Sequence, residues 1–162
     1  MTISVGDKLP EATLLRMGAE GPESVELSTL TKGKKTVIFG LPGAYTGTCT
    51  TSHVPSFINA KDDLAAKGVD EIICVSVNDP FVMGAWGEST GASNAGIQML
   101  GDPSAAFIKA IGLDFTAPPA GLYDRSQRFA LFAEDGEVKV LNLEDNPGVC
   151  DISGGASMVE QI

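Results

Sequence analysis

The sequence predicts an α/β sandwich in which a central sheet, partly parallel and partly antiparallel, carries helices on both faces. Two apolar runs without alternation, residues 35–41 and 71–77, are typical of strands buried on both faces. A segment of helical character lies between them, and a strand–helix–strand unit of this length indicates a right-handed parallel crossover. Asp135-Gly136 stands between two further apolar runs and predicts a hairpin, which adds antiparallel strands.

The first elements along the chain are two short strands, residues 12–16 and 24–27, on either side of a glycine-bounded turn. They are predicted to form an N-terminal extension ahead of the first buried strand. The helix between the buried strands is predicted from apolar residues near one face at a 3.6-residue period: Val54, Phe57, Ile58, Leu64 and Ala65. Pro55 interrupts this helix and is expected to kink it.

Two more helices are predicted after the second buried strand. The first covers residues 80–89, and the second covers residues 103–111. Asp102 is the expected cap of the second helix, and Pro103 suits its first position because that position needs no N–H donor. A short strand at residues 98–100 lies between the two helices.

The last elements are the strands of the predicted hairpin, residues 128–132 and 138–143, and a helix from residue 153 or 155 to residue 162. No linker, repeat or low-complexity run divides the sequence. We therefore expect a single domain over residues 1–162, with the architecture of a thioredoxin-like sandwich.

Composition excludes several classes of function. The 162 residues carry 11 Lys+Arg against 21 Asp+Glu, a formal charge of −10, which disfavours nucleic-acid and membrane-surface partners. No secretory signal or membrane-spanning stretch is visible. The three widely spaced cysteines, Cys49, Cys74 and Cys150, suit neither a disulfide framework nor a metal site. A reducing cytoplasm is the expected location.

Cys49 is the candidate reactive residue. A buried strand ends at Leu41, a Pro-Gly loop follows, and Cys49 falls in the first turn of the predicted helix. Free N–H groups and the positive end of the helix dipole stabilise a thiolate at such a position. Thr46 is placed either to cap the helix or to hold a substrate oxygen beside the sulfur. Position alone leaves open whether Cys49 is a nucleophile or a buried structural cysteine.

The segment Pro42-Gly-Ala-Tyr-Thr46-Gly-Thr-Cys49 closely resembles the active-site loop of the peroxiredoxins. Three further blocks resemble the peroxiredoxin-five or plant type II branch in matching order: residues 53–57, residues 75–83 with Trp86, and residues 125–131. The resemblance covers nearly the whole chain. One departure is Gly47, where relatives often carry proline; glycine is expected to loosen the loop without removing a chemical group.

The resemblance implies an antioxidant enzyme that reduces hydrogen peroxide and organic hydroperoxides without metal, flavin or haem. Carried over by residue, Cys49 is the peroxidatic cysteine that becomes sulfenic acid, and Thr46 orients the peroxide. Arg128 is the cation, and Pro42 shields the sulfur from water. Glutaredoxin with glutathione, or thioredoxin, is the implied reductant. The implied assembly is a homodimer, with the loop around Tyr45 and the region of residues 81–86 in its interface.

The remaining candidates keep two interpretations each. Cys74 lies mid-strand and is expected to be a small buried hydrophobe, although some relatives use this position as the resolving thiol. Cys150 lies near, but about two residues from, the C-terminal resolving position of other relatives. The resolving thiol is therefore Cys150, Cys74 or neither. Arg125 is either a second cation near the sulfur or a solvated charge, and a secondary role is favoured.

His53 is the only histidine and stands four residues after Cys49. The resemblance assigns it to hydrogen bonding that supports the active-site loop. The alternative is a Cys–His hydrolase pair, for which the sequence offers no obvious orienting residue. A different class of function is also open: a redox sensor in which oxidised Cys49 signals to a partner. Such a sensor would stall after one oxidation when given a thiol reductant, whereas a peroxidase turns over.

Overall fold

The computed structural model describes residues 1–162 and contains nine strands and five α-helices. The strands are β1 Thr13–Gly18, β2 Gly21–Glu26, β3 Lys35–Gly40, β4 Glu71–Ser76, β5 Gln98–Gly101, β6 Asp114–Ala117, β7 Leu122–Ser126, β8 Phe129–Glu134 and β9 Glu137–Leu143. The helices are α1 Ser28–Thr31, α2 Val54–Ala66, α3 Pro80–Thr90, α4 Ala106–Ala110 and α5 Gly155–Gln161. None of these helices combines the length and hydrophobicity that crossing a bilayer requires.

Seven strands form one mixed sheet in the order β2-β1-β5-β4-β3-β8-β9. Strands β3, β4 and β5 run parallel, whereas β8 pairs antiparallel with β3, and β1 pairs antiparallel with both β5 and β2. The predicted parallel crossover through α2 is confirmed. The predicted hairpin is also confirmed, because β8 pairs with β9 and both Asp135 and Gly136 have positive φ, as a type I′ turn requires.

Two apolar clusters cover the two faces of the sheet. One cluster lies under α2, α3 and α5 and takes in Phe39, Phe57, Trp86, Met158 and the sulfur-bearing residues Cys49 and Cys74. The other lies under α1 and α4 and takes in the side chains of β3, β4 and β8 that point the opposite way. This two-sided burial explains the apolar runs without alternation, and it confirms the predicted mixed α/β sandwich with helices on both faces.

The helix predicted over residues 103–111 is shorter than expected. Residues 103–105 form a turn, Ala105 has a left-handed backbone with φ of 61°, and α4 begins only at Ala106. Asp102 still caps the helix, because its carboxylate accepts hydrogen bonds from the N–H groups of Phe107 at 3.2 Å and Ile108 at 3.0 Å. The helical start at Pro103 was wrong, because the left-handed residue separates the cap from the first turn.

Pro55 interrupts the long helix through a local change of winding. The five residues Cys49–His53 form a π-helical turn, in which the N–H of Val54 bonds to the carbonyl of Cys49 five residues back. Proline lacks the N–H that a regular helix needs, and a π turn next to it is one way to absorb the missing bond. The reactive-cysteine segment is therefore wound differently from α2, into which it leads.

A small second sheet was not predicted from the sequence. Strands β6 and β7 pair antiparallel and are joined by a 3₁₀ turn, Pro118–Ala120, with Gly121 in a left-handed conformation. Within the two strands only Ser126 is fully buried, so their apolar pattern is weak. This hairpin stands beside the carboxyl end of β3, where the candidate site lies.

Candidate active site

Cys49 lies in the first turn of the helix that follows β3. The helix starts at Gly47, and the carbonyl of Thr46 accepts its first backbone bond from the N–H of Thr50 at 3.1 Å. The Cys49 side chain is completely buried. A carboxyl edge of parallel strands that leads into a helix N-terminus is where α/β folds place ligands, so the predicted location of the reactive cysteine is the observed one.

Thr46 makes no side-chain cap. Its hydroxyl donates to the carbonyl of Gly43 at 2.7 Å, and its side chain lines the cavity beside Arg128. The hydroxyl oxygen therefore keeps its acceptor capacity, and its position favours contact with a substrate oxygen over capping. Gly47 lies next to it in open space, since a Cβ there would meet no heavy atom within 4 Å.

Arg128 precedes β8 and is almost fully buried. Its Nη2 donates to Cys49 Sγ at 3.1 Å, its Nη1 donates to His53 Nδ1 at 3.0 Å, and its Nε donates to the carbonyl of Pro147 at 2.9 Å. None of the four ion pairs of the protein involves Arg128. The guanidinium therefore has no carboxylate in hydrogen-bond contact, and the Cys49 sulfur is one of its three hydrogen-bond partners.

His53 is fully buried between Phe39 and Phe57, with ring centroids 5.0 and 5.7 Å away. Burial and the adjacent Arg128 charge lower its pKa from 6.5 to about 3, although its bond to the Ser153 carbonyl opposes the shift. Arg128 can only donate and the carbonyl, 3.0 Å from Nε2, can only accept. The imidazole is therefore neutral, with its proton on Nε2.

These contacts occupy both nitrogens of His53, and neither is directed at Cys49. The Cys–His hydrolase pair is thus not formed, because the sulfur faces Arg128 instead. Arg125 does not contact the sulfur through a hydrogen bond either. Its Nη1 donates to the carbonyl of Pro42 at 3.0 Å, so it holds the loop that precedes the helix.

Other side chains fix the loop and turn around Cys49. Asn78 Oδ1, just beyond β4, accepts from the N–H of Ala44 at 2.9 Å and from the Ser76 hydroxyl at 2.6 Å. Trp86 Nε1 donates to the Thr50 hydroxyl at 3.1 Å. No role was predicted for Asn78 from the sequence, although its position just after a buried parallel strand is typical of a site residue.

A cavity of about 340 Å³ opens above these groups. Its lining includes Pro42, Thr46 and Arg128 from the surroundings of Cys49, Phe115, Ala117 and Leu122 from the β6–β7 hairpin, and Gly47, Thr48, Pro147 and Gly148. The lining therefore combines polar groups that contact or neighbour Cys49 with apolar side chains from the hairpin. Phe115 and Leu122 were missed, because the hairpin that carries them had no sequence signal.

All three cysteines are free thiols. Cys74 is fully buried and pairs with Phe39 between β3 and β4, which confirms the expected buried hydrophobic residue. Burial is the main cause that raises the pKa of its thiol well above 9.0, and the nearby Cys49 adds to the shift. Cys150 is half-buried in the loop after β9. Burial raises its pKa as well, although the Ser153 hydroxyl and Arg128 oppose the shift. Neither thiol is poised as a strong nucleophile in this conformation.

Comparison with known proteins gives consistent matches. The Redoxin family matches residues 4–158. Peroxiredoxin-2E-2, chloroplastic, of Oryza sativa subsp. japonica is 47% identical over 165 residues, which cover 99% of this chain and 73% of that protein. Peroxiredoxin-2C of the same plant is 44% identical over 161 residues, which cover 99% of this chain and 98% of that protein. The crystal structure of reduced Prx3 in complex with H2O2 from Vibrio vulnificus superposes with a TM-score of 0.90 at 43% identity, covering 99% of both chains.

Proposed function

The chain belongs to the Redoxin family, among the type II peroxiredoxins, and is a thiol-dependent peroxidase; from this premise we propose that Cys49 is its peroxidatic nucleophile. The observation that carries the proposal is the 3.1 Å contact between Arg128 Nη2 and the buried Cys49 sulfur. The cation favours the thiolate, which is the reactive form of cysteine. Thr46, Pro42 and the helix N-terminus complete the proposed site.

The proposed first step is attack by the Cys49 thiolate on the terminal oxygen of a hydroperoxide. The S–O bond forms as the O–O bond breaks, and the departing oxygen leaves as alkoxide or hydroxide, which takes a proton to become alcohol or water. Sulfur is oxidised by two electrons to sulfenic acid. Arg128 stabilises the negative charge that grows on the departing oxygen, and a charge fixed in advance is an effective way to lower such a barrier.

Thr46 and Pro42 are proposed to control geometry and access. The Thr46 hydroxyl lines the cavity and keeps lone pairs free, so it can accept a hydrogen bond from the –OOH group and orient its terminal oxygen towards the sulfur. Pro42 lines the same cavity and limits the entry of water to Cys49. Arg125 and His53 support this arrangement, Arg125 through the Pro42 carbonyl and His53 through Arg128.

The proposed substrates are hydrogen peroxide and organic hydroperoxides. A cavity of about 340 Å³ is far larger than hydrogen peroxide needs, and the Phe115 and Leu122 side chains give part of its lining an apolar character. The organic part of a hydroperoxide would lie against these side chains while its –OOH group approaches Cys49 beside Thr46 and Arg128. This apolar lining supports the broader of the two substrate classes.

The second half-reaction returns Cys49 to the thiol. One thiol condenses with the sulfenic acid to give a disulfide and water, and a second thiol reduces that disulfide. Glutaredoxin with glutathione, or thioredoxin, is the proposed source of these thiols. Cys49 is itself fully buried, so its segment has to move before either an external thiol or the half-buried Cys150 can reach the sulfur.

The proposed assembly is a homodimer in the cytoplasm, built from a single domain over residues 1–162. Tyr45 and Phe81 are 57% and 61% exposed on the side of the molecule that holds the Pro42–Tyr45 loop and α3. Large exposed apolar groups of this kind are typical of interaction surfaces. The three free thiols support a reducing compartment.

The test is multiple-turnover peroxide reduction with a thiol reductant, combined with mass spectrometry. We expect Cys49→Ser to abolish turnover, whereas Cys74→Ser retains it. After one equivalent of peroxide and excess glutathione, Cys49 should carry glutathione in both the wild type and Cys150→Ser. A Cys49–Cys150 disulfide in the wild type would assign Cys150 as the resolving thiol instead. Full peroxidase rate in Cys49→Ser would refute the assignment of the nucleophile.

A further inference from the structure

Glu144 is a buried carboxylate for which the peroxidase chemistry above has no role. It follows β9 directly and is 7% exposed. Its Oε2 accepts three hydrogen bonds, from the N–H of Asp151 at 2.6 Å, the N–H of Ser153 at 2.9 Å and the Ser153 hydroxyl at 2.7 Å. Burial raises the pKa of Glu144, but these bonds and the Arg128 charge outweigh it, so the net pKa is lowered and the carboxylate is ionised.

A chain of contacts leads from Glu144 to the reactive sulfur. Ser153, which Glu144 holds, presents its carbonyl to His53 Nε2 at 3.0 Å. His53 Nδ1 then accepts from Arg128 Nη1 at 3.0 Å, and Arg128 Nη2 donates to Cys49 Sγ at 3.1 Å. All five side chains are buried, so water does not compete for these bonds.

A second route runs through the backbone. The N–H of Glu144 donates to the carbonyl of Arg128 at 3.0 Å, which extends the β8–β9 pairing by one bond. The loop from residue 145 to residue 152 leaves from this point and is fastened at its far end by the Glu144 carboxylate. Within that loop, the Pro147 carbonyl accepts from Arg128 Nε, and the Gly148 carbonyl accepts from the Thr48 hydroxyl at 2.9 Å.

The direction of the Arg128 guanidinium therefore depends on acceptors that Glu144 fixes. The planar fork of arginine has its donors in rigid relation, so the Pro147 carbonyl and His53 Nδ1 together determine where Nη2 points. Nδ1 accepts only while the Ser153 carbonyl keeps the imidazole proton on Nε2. Release of Ser153 would allow the other tautomer, which turns an N–H towards the cation.

We propose that Glu144 is a positioning residue of the peroxidase: by holding the turn at residues 151–153 it fixes the His53 tautomer and thereby directs Arg128 at the Cys49 sulfur. The inference rests on the proposed roles of Cys49 and Arg128. The Glu144 carboxylate makes no hydrogen bond or ion pair with the guanidinium. The Glu144 carboxylate acts by accepting hydrogen bonds from Asp151 and Ser153. A glutamine side chain at this position should still accept some of them.

The test compares Glu144→Ala, Glu144→Gln and, as a matched control, Val138→Ala. Val138 is buried on β9, the strand that Glu144 directly follows, but it belongs to the apolar cluster on the face of the sheet opposite Cys49. Two quantities are measured in each protein: the second-order rate constant for oxidation of Cys49 by hydrogen peroxide, and the ¹⁵N–¹H correlations of the imidazole in the reduced state. The imidazole signals are unambiguous because the chain has one histidine.

We expect Glu144→Ala to lower the rate constant by about tenfold or more, since small losses of alignment are costly in an oriented site. The same variant should lose the pure Nε2–H pattern of the wild-type imidazole. Glu144→Gln should stay within about threefold of the wild type and keep that pattern, because the amide oxygen still accepts hydrogen bonds. Val138→Ala should lose thermal stability while the rate constant and the imidazole signals stay unchanged.

Unchanged rate and unchanged imidazole signals in Glu144→Ala would overturn the inference. An equal loss of rate in Val138→Ala would also overturn it, because the effect would then follow general stability. Should Glu144→Ala not fold, Glu144→Asp replaces it with the same two decisive outcomes, since its shorter side chain retreats from the three donors. If the wild-type protein consumes no peroxide, the proposed function is refuted. The imidazole signals would still test whether Glu144 fixes the His53 tautomer through Ser153.

Discussion

Arg128 carries a buried positive charge whose only possible anionic contact is the sulfur of Cys49. Its other acceptors are the neutral imidazole of His53 and a backbone carbonyl. A buried charge without a partner is costly, so the guanidinium and the thiolate stabilise each other. A protonated His53 would add a second cation to the same enclosed space. Keeping this imidazole neutral is therefore a condition for the reactive form of the site.

The His53 environment predicts a pH dependence of stability. In the unfolded chain His53 binds a proton below pH 6.5, but in the folded protein only below about pH 3. The unfolded state therefore gains protons first, and the free energy of unfolding falls by about 1.4 kcal/mol per pH unit as pH drops through that window. Between pH 6.5 and pH 5 the expected loss is about 2 kcal/mol. Urea titrations across that interval measure it.

The control for this prediction is His53→Gln, which removes the only imidazole while keeping an amide that can hydrogen-bond. Its unfolding free energy should be lower than that of the wild type at pH 7 but nearly flat between pH 6.5 and pH 5. The same slope in both proteins would show that groups other than His53 cause it, and the neutral-imidazole assignment would fail.

At the residue scale, the residues proposed to react were predicted from the sequence, whereas those that hold them were not. Cys49, Thr46 and Arg128 belong to recognisable motifs. Thr46 and Arg128 line one cavity, and Arg128 connects it to the buried Cys49 sulfur. Asn78 and Glu144 carry common polar side chains that are usually solvated on a protein surface. The fold brings both side chains against backbone N–H groups, with Asn78 half-buried and Glu144 buried, and no local sequence pattern predicts these contacts.

The β6–β7 hairpin contributes three of the ten residues that line the cavity, although it belongs to a separate two-stranded sheet. Phe115 pairs with Arg125 across the hairpin, so one element supplies both an apolar lining residue and the arginine that holds the Pro42 carbonyl. The hairpin thus links the shape of the cavity to the position of the loop beside the reactive sulfur.

Phe115→Ser should change the choice between substrates. The ring lines the cavity and has no polar atom to bind the –OOH group, so its loss should leave the rate constant for hydrogen peroxide within about twofold. The rate constant for a bulky aromatic hydroperoxide should fall by about tenfold, since burying an apolar side chain is worth roughly 1.5–3 kcal/mol. Steady-state assays with the two peroxides give the ratio directly.

Asp114→Ser is the matched control, because Asp114 is exposed on the same strand and does not line the cavity. It should leave the ratio of the two rate constants unchanged. An equal loss with both peroxides in Phe115→Ser would mean that the hairpin positions the site but does not select the substrate.

Elements with strong local signals were predictable, and the errors fall where tertiary contacts decide. Strands β3 and β4 each contain an uninterrupted apolar run, and the Asp135-Gly136 turn indicates the last hairpin. The start of α4 was predicted at Pro103 but lies at Ala106, because an alanine at position 105 gives no indication of a left-handed backbone. The β6–β7 hairpin escaped prediction because its strands are short, mostly exposed and joined through Pro118-Pro119.

For the whole molecule, a formal charge of −10 coexists with exposed aromatic groups near the site. Tyr45 and Phe81 lie on the active-site loop and on α3, and the Tyr45 ring is 6.4 Å from that of Trp86. Like charges on two copies repel at long range, so association needs a local apolar patch to offset them. These aromatic residues supply such a patch for the proposed homodimer.

Phe81→Asp should therefore convert the proposed dimer into a monomer, because it places a charge within the apolar patch. Sedimentation velocity over a range of protein concentrations measures the change. Val5→Asp provides the control, since Val5 is equally exposed, at 60%, but belongs to the N-terminal segment. A wild type that sediments as a monomer at every concentration, or a dimer unaffected by Phe81→Asp, would contradict the proposed interface.

The hydrogen bond between Trp86 and Thr50 allows the intrinsic tryptophan fluorescence of the protein to report on the turn that contains Cys49. Trp86 is the only tryptophan and is fully buried, and its indole N–H is held by a residue adjacent to Cys49 in the π-helical turn. Indole emission depends on hydrogen bonding and solvent contact, so any rewinding of that turn during oxidation or reduction changes the fluorescence. Each half of the catalytic cycle can thus be timed separately in stopped flow, with unlabelled protein and no coupling enzyme.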